Sequence, residues 1–127
     1  TNARSLVGAV LREMEYRLTG GEPAADGDLG KQYKRVQRLL NLDPADKRLN
    51  TPFRQVLTGL ASITTGLAGI RNAMGDAHAR SYKPEQHHAR LAVNVAKTLV
   101  DFLLETYEYQ VRTGRIEAVV DPPTGGR

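Results

Sequence analysis

The chain contains no cysteine among its 127 residues. This absence excludes disulfide bonds and zinc sites built on thiolates, and nothing points to an oxidising compartment. No apolar run approaches the length of about 18 residues that spans a membrane. The first residues also lack the basic and then apolar order of a signal peptide. We therefore expect a soluble, cytoplasmic protein with no membrane-spanning segment.

The composition is that of one compact domain. Hydrophobic residues make up 40% of the chain and charged residues 25%, so one core can form without disulfide bonds or structural metal ions. The formal net charge is +4 and the isoelectric point is about 9.6. This charge favours association with a polyanion, although many basic proteins bind none. Because the chain opens on Thr1, we also expect residues upstream in the full protein.

Apolar residues in the first third recur at helical spacing and predict two helices. Gly20 and Gly21 end the first helix, and the side chain of Asp28 can cap the second, shorter helix. The expected buried residues are Leu6, Val7, Val10, Leu11, Met14 and Leu18 in the first helix, and Leu29, Tyr33, Val36, Leu39 and Leu40 in the second.

Two longer helices come after a loop over residues 41–50, which contains Pro44. Thr51 and Pro52 predict the start of the third helix, with Thr51 as its cap. Gly59, Gly66 and Gly69 lie inside that helix and predict close approach of a neighbouring backbone. Pro84 predicts the start of the fourth helix. The expected buried residues are Phe53, Val56, Leu57, Leu60, Ile63, Leu67, Ile70 and Met74, and then Leu91, Ala92, Val95, Leu99, Phe102 and Leu103.

This organisation predicts an all-α protein, an antiparallel bundle of four to five helices over residues 1–113. Residues 116–120 form a short apolar run, and the residues after them are rich in proline and glycine. We therefore expect residues 114–127 to form a flexible C-terminal tail.

The segment Arg-Asn-Ala-Met-Gly-Asp-Ala-His at residues 71–78 is the main candidate for chemistry. RNA carries its own nucleophile, the 2′-hydroxyl, so a cleaving site needs a proton acceptor and a cation near the phosphate. His78 and Arg71 are residues of these types. Asn72 can hold a phosphate oxygen, and Asp76 can fix the tautomer of the imidazole. No metal or cofactor is required.

The spacing of Arg71 and His78 places them on one face of an unbroken helix, about 10 Å apart along its axis. One phosphodiester is too short for both, so the geometry predicts a distortion at Gly75 or a second subunit. A purely structural interpretation also exists: Gly75 ends the helix, Asp76 caps the segment after it, and His78 lies in a loop.

Residues 57–107 resemble the abortive infection C-terminal domain of bacterial phage-defence proteins. Two segments carry the resemblance: Gly-Leu-Ala-Gly-Ile-Arg-Asn-Ala-Met-Gly-Asp-Ala-His at residues 66–78, and His-Ala-Arg-Leu-Ala-Val-Asn-Val-Ala-Lys-Thr-Leu at residues 88–99. Residues 3–42 fit the same domain more loosely. That domain is similar to the HEPN superfamily, whose helical bundles carry an Arg-Asn pair followed by His as a metal-independent RNase site at a dimer interface. The resemblance implies catalytic roles for Arg71, Asn72 and His78.

Further polar residues surround this motif. Lys31, Lys34, Arg35 and Arg38 recur at helical spacing and predict a basic stripe that suits an RNA backbone or simply faces solvent. Arg80 and Lys83 are candidates for local phosphate contacts. His87 and His88 point about 100° apart on a helix and cannot chelate one metal as a pair. We expect His88 to face the bundle or the motif and to support it.

Two functions remain open. The first is a homodimeric, metal-independent endoribonuclease of HEPN type that cuts tRNA or single-stranded RNA in phage defence or as a toxin. A cognate antitoxin or an upstream sensor domain is the partner expected to restrain it. The second is a catalytically inactive dimerisation, RNA-binding or regulatory module of a larger defence protein.

Overall fold

The computed structural model describes residues 3–22, 28–75 and 86–120, and within residues 70–75 it describes the backbone alone. These residues form four helices and no strand: α1 (Ala3–Thr19), α2 (Leu29–Leu39), α3 (Thr51–Gly75) and α4 (Gln86–Arg112). The prediction of an all-α bundle is confirmed. In the described part of the chain, no helix is both long and apolar enough to cross a membrane.

Two of the predicted helix ends are confirmed. Gly20 ends α1 with a φ of 77°, and its N–H donates to the carbonyl oxygen of Tyr16 at 2.8 Å. A positive φ is easily reached by glycine, which has no Cβ. At the start of α2, the carboxylate of Asp28 accepts the N–H of Lys31 at 3.0 Å. One otherwise unpaired amide of the first turn is thereby satisfied.

The predicted cap of α3 is wrong by one residue. Asn50, and not Thr51, caps the helix: its side-chain oxygen accepts the N–H of Phe53 at 2.9 Å, and its carbonyl accepts the N–H of Arg54 at 3.0 Å. Pro52 then takes the second helical position. The first amides of a helix have no intrahelical partner, so proline is tolerated there as well.

One apolar core joins the four helices, and most of the predicted residues belong to it. The side chains of Leu11, Leu57 and Leu103 are fully buried, and Thr64 is buried beside them because its hydroxyl donates to the carbonyl of Leu60 at 2.9 Å. The buried apolar residues are Val7, Leu11, Met14, Leu29, Tyr33, Val36, Leu40, Leu42, Leu57, Leu67, Ala92, Ala96, Leu99, Val100, Leu103 and Tyr107.

Four apolar residues predicted to be buried are substantially exposed. Val56 is 56% exposed, Leu91 61%, and Leu6 and Phe53 36% each. In α3 and α4, Val56 and Leu91 lie beside the line of buried residues that runs through Leu57 and Leu67 and through Ala92. Phe53 lies on the buried line of α3, but in the first turn of the helix. The apolar periodicity predicted the correct helices but assigned too many of their apolar residues to the buried face.

The three glycines inside α3 do not accommodate a neighbouring backbone. A Cβ built at Gly59, Gly66 or Gly69 meets no atom within 4 Å. The prediction of close packing at these positions is therefore wrong, because they lie on a face of α3 that the rest of the described chain leaves open.

The helices do not simply alternate in direction. Gly8 of α1 lies beside Leu29 of α2, and seven residues later Glu15 lies beside Arg35, so α1 and α2 run the same way. Gly30 of α2 lies against Thr65 of α3, whereas the segment after α2 meets the start of α3. α3 consequently runs back against α2.

The segment after α4 returns to the end of α1. The N–H groups of Val119 and Val120 both donate to the carbonyl of Arg17, at 2.8 and 3.1 Å. Ile116 and Ala118 are half-buried against the core. Residues 121–127 lie outside the described residues, and the division of the chain into a domain over 1–113 and a flexible tail stays a prediction.

Candidate functional site

The candidate motif lies at the end of α3. The backbone of this helix continues through Arg71 and Asn72 and ends at Gly75, the residue at which the sequence predicted a break. Asp76, His78, Arg80 and Lys83 lie outside the described residues, as do the side chains of 70–75. The geometry between Arg71 and His78 therefore stays a prediction.

His88 lies in the first turn of α4. It is half-buried, whereas its neighbour His87 is exposed. The centroids of the two imidazole rings are 4.2 Å apart, and the rings are tilted by 54°. This places His88 on the inner side of α4, at the start of the helix that comes after the motif in the chain.

The described residues include no group of three or more His, Asp or Glu side chains that could hold a metal ion. Asp76 and His78 of the motif are not among the described residues. The expectation of a metal-free site stays a prediction.

The basic residues of α2 lie in two environments. Lys31, Lys34 and Arg38 are exposed. Arg35 is half-buried, and its Nε lies 2.8 Å from Oε2 of Glu15, a buried carboxylate of α1. Arg35 therefore joins two helices, while the other three side chains form an exposed basic row.

A second basic cluster was not predicted from the sequence. Tyr109 on α4 is 44% exposed, with the guanidinium of Arg112 5.5 Å and that of Arg115 5.2 Å from the centroid of its ring. Cations stack favourably on aromatic rings at such distances. The sequence pattern predicts only a packing role for Tyr109, although the Tyr109–Arg112 spacing of one helical turn was the available signal.

One protein family matches most of the chain. This family is described as a HEPN-like domain (Abi_C), and the match covers residues 1–107. The chain belongs to this family. The HEPN-like domain thus extends from α1 to Tyr107 in α4, and it contains the motif at the end of α3.

Membership confirms the resemblance seen in the sequence and relates this chain to the helical domains of abortive infection. No curated protein and no solved structure matches the chain.

Proposed function

We propose that this HEPN-like domain is a metal-independent endoribonuclease of phage defence or a toxin. The observation that carries the proposal is the position of Arg71 and Asn72 in the last turns of α3, which ends at Gly75, within a segment that the family model covers. The motif therefore lies where one long helix ends and the chain continues toward the next.

In the proposed reaction, the 2′-hydroxyl of RNA attacks the adjacent phosphorus and the bond to the 5′-oxygen breaks. His78 accepts or returns the proton, and Arg71 stabilises the charge on the phosphorane. Asn72 holds the scissile group, while Asp76 orients the imidazole and His88 supports the motif. The products are a 2′,3′-cyclic phosphate and a 5′-hydroxyl, so atoms and charge balance without a metal.

We further propose that two subunits form the site. Leu91 is 61% exposed and Val93 is 50% exposed, both in the first turns of α4, which come after the motif in the chain. A second copy of the chain that packs on the Leu91 side of α4 would bury this apolar side chain, while Val93, two residues later, points to the other side of the helix. A two-fold interface of this kind would also bring two motifs near each other.

The exposed row of Lys31, Lys34 and Arg38 supports an RNA substrate, single-stranded RNA or tRNA, because it presents three cations along one helix. Arg35, which the sequence pattern places in the same row, is proposed to act indirectly by holding α2 against α1 through Glu15. Arg80 and Lys83 are proposed to contact phosphates near the motif. In the cell, an antitoxin or an upstream sensor domain would restrain the nuclease.

The same basic row favours a second function, an RNA-binding and dimerisation module without turnover. Binding by exposed cations needs no catalytic histidine, so this alternative predicts RNA affinity with a steep salt dependence and no cleavage.

The deciding experiment incubates a panel of tRNA and single-stranded RNA with the protein in EDTA. The wild type is compared with Arg71→Ala and His78→Ala, and with His87→Ala as the control. We expect the first two substitutions to lower the cleavage rate by about 10²–10⁴-fold, and His87→Ala to leave it unchanged. Sedimentation velocity shows whether each variant keeps the wild-type oligomeric state.

RNA binding is measured separately, on His78→Ala protein at several salt concentrations. Lys31→Gln with Lys34→Gln is compared with Lys47→Gln with Lys97→Gln, two exposed lysines elsewhere. The first pair should reduce the slope of log affinity against log salt by about 1.4 on single strands. RNA binding together with no cleavage by the wild type supports the module, and cleavage that survives both Arg71→Ala and His78→Ala contradicts the nuclease.

A further inference from the structure

An open cavity of about 660 Å³ lies at the opposite end of α3 from the motif. It is formed by the segment after α2, the start of α3 and the C-terminal half of α4. Phe53 and Arg71 are about 27 Å apart along α3, at 1.5 Å per residue. This cavity is therefore separate from the proposed nuclease site, and its volume is within the range of about 300–1,000 Å³ typical of small-molecule sites.

Hydrogen bonds hold the walls of the cavity in place. The side-chain amide of Gln110 on α4 donates to the carbonyl of Leu40 at 2.8 Å, and Asn41 donates to the side-chain oxygen of Gln110 at 2.9 Å. On the other wall, Arg48 donates twice to the carboxylate of Asp46, at 3.0 and 2.8 Å. The hydrogen bonds of Gln110 therefore hold α4 against the segment after α2, whereas the pair of Asp46 and Arg48 lies within that segment.

The apolar part of the cavity is aromatic. Both phenylalanines of the chain, Phe53 and Phe102, lie in its lining together with Leu42 and Leu49. Phe53 is 36% exposed. Aromatic rings pack well against a second flat ring, in stacked or edge-to-face geometry.

The ionisable groups of the lining leave one positive charge. They are Asp46, Arg48 and Arg115. Hydrogen bonds from Arg48 lower the pKa of Asp46 to about 2, so this carboxylate is ionised near neutral pH and offsets the charge of Arg48. Arg115 supplies the remaining charge, and its guanidinium packs on the ring of Tyr109. The lining therefore combines a flat apolar surface with one cation at its rim.

We propose that this cavity binds an aromatic anion of the size of a mononucleotide. A planar ring would pack against Phe53 and Phe102, and a phosphate would pair with Arg115. The same chemistry is offered by a free nucleotide and by the phosphorylated end of an RNA strand. The proposal does not depend on nuclease activity, because none of these residues belongs to the motif.

The test is a titration of ¹⁵N-labelled protein, followed through its amide resonances. The probes are adenosine 5′-monophosphate and uridine 5′-monophosphate, with adenosine and inorganic phosphate as half-ligands. We expect the nucleotides to shift the amides of Leu49, Thr106 and Gln110, and each half-ligand to bind more weakly. A 5′-phosphorylated tetra-adenylate that binds more tightly than the monophosphate identifies an RNA end as the source; equal or weaker binding identifies a free nucleotide.

Arg115→Gln should weaken nucleotide binding about tenfold, the factor that corresponds to loss of one charge-assisted hydrogen bond. Arg112→Gln is the matched control, because Arg112 also packs on Tyr109 but does not line the cavity. Thr106→Phe places a ring inside the cavity and should abolish binding. Circular dichroism melting shows that each variant is folded.

Several outcomes overturn the proposal. They are the absence of shifts with both nucleotides at millimolar concentration, equal binding of nucleotide and phosphate alone, and equal effects of Arg112→Gln and Arg115→Gln. His78→Ala protein should bind the nucleotides as the wild type does. A failure of the nuclease proposal and a failure of this one are thereby distinguished.

Discussion

Tyr33 illustrates how burial alone changes the chemistry of one side chain. It is 1% exposed on α2, and burial raises the pKa of its phenol to about 12, against a smaller opposing effect of the Gln37 side chain. In the unfolded chain the phenol titrates near pH 10. The stabilisation that depends on this proton is complete below pH 10 and is lost as the pH rises through about 12.

We therefore expect the free energy of unfolding of the wild type to fall more steeply above pH 10 than that of Tyr33→Phe. Urea unfolding followed by circular dichroism between about pH 8 and pH 11.5 measures both curves. The other tyrosines are common to the two proteins, so the difference isolates Tyr33. Parallel curves would show that this phenol ionises alike in the folded and unfolded chains.

Leu11 and Leu91 are a buried and an exposed leucine whose substitutions should differ in effect. Leu11 is fully buried, whereas Leu91 is 61% exposed. Leu11→Ala should lower the free energy of unfolding by about 2–5 kcal/mol, because a cavity replaces packed atoms. Leu91→Ala should change it by about 0.5 kcal/mol or less in the monomer. In the proposed dimer a second subunit covers Leu91, so there the loss for Leu91→Ala should be larger and should depend on protein concentration.

The start of α3 tests a prediction at the scale of the element. Because the side chain of Asn50 accepts the N–H of Phe53, Asn50→Ala should destabilise the protein by about 1 kcal/mol. Thr51→Ala is the control, since Thr51 is an exposed residue at the first helical position. Thermal unfolding of the two variants gives the comparison, and a greater loss for Thr51→Ala would restore the cap predicted from the sequence.

The open face of α3 gives the second prediction at this scale. Alanine at Gly59 or Gly66 meets no atom within 4 Å, so each substitution should raise the free energy of unfolding by up to about 1 kcal/mol. Gly20→Ala should have the opposite sign, because Gly20 has a φ of 77°. If Gly66→Ala weakens self-association in sedimentation equilibrium, this face lies between subunits.

At the scale of the whole molecule, residues 115–120 connect the end of α4 to α1. Two hydrogen bonds to Arg17 and the half-buried Ile116 and Ala118 hold this segment. A deletion of residues 115–127 should therefore lower the melting temperature by several degrees, as the loss of about 1–2 kcal/mol does in a chain of this size. A deletion of residues 121–127 is the control. Equal melting temperatures for the two truncations would show that the contacts with α1 contribute nothing.

The family relationship also belongs to this scale. It was predictable because Arg71, Asn72 and His78 lie within one short segment, so their spacing can be recognised from the sequence alone. The arrangement of that segment was not predictable, since the distance between Arg71 and His78 depends on how the chain continues after Gly75. The ion pair of Arg35 was not predictable either, because its partner Glu15 lies on another helix.

Local sequence pattern was enough to establish the four helices, the stop at Gly20, the cap at Asp28 and the family. Helix periodicity and capping depend on interactions over a few residues, so they can be predicted from the local sequence. Tertiary packing was needed to show that Val56 and Leu91 are exposed and that Phe53, Phe102 and Arg115 share one cavity. It was also needed to show that the glycines of α3 have no close neighbour among the described residues. Those properties depend on which helix covers which face, and contacts between distant parts of the chain determine them.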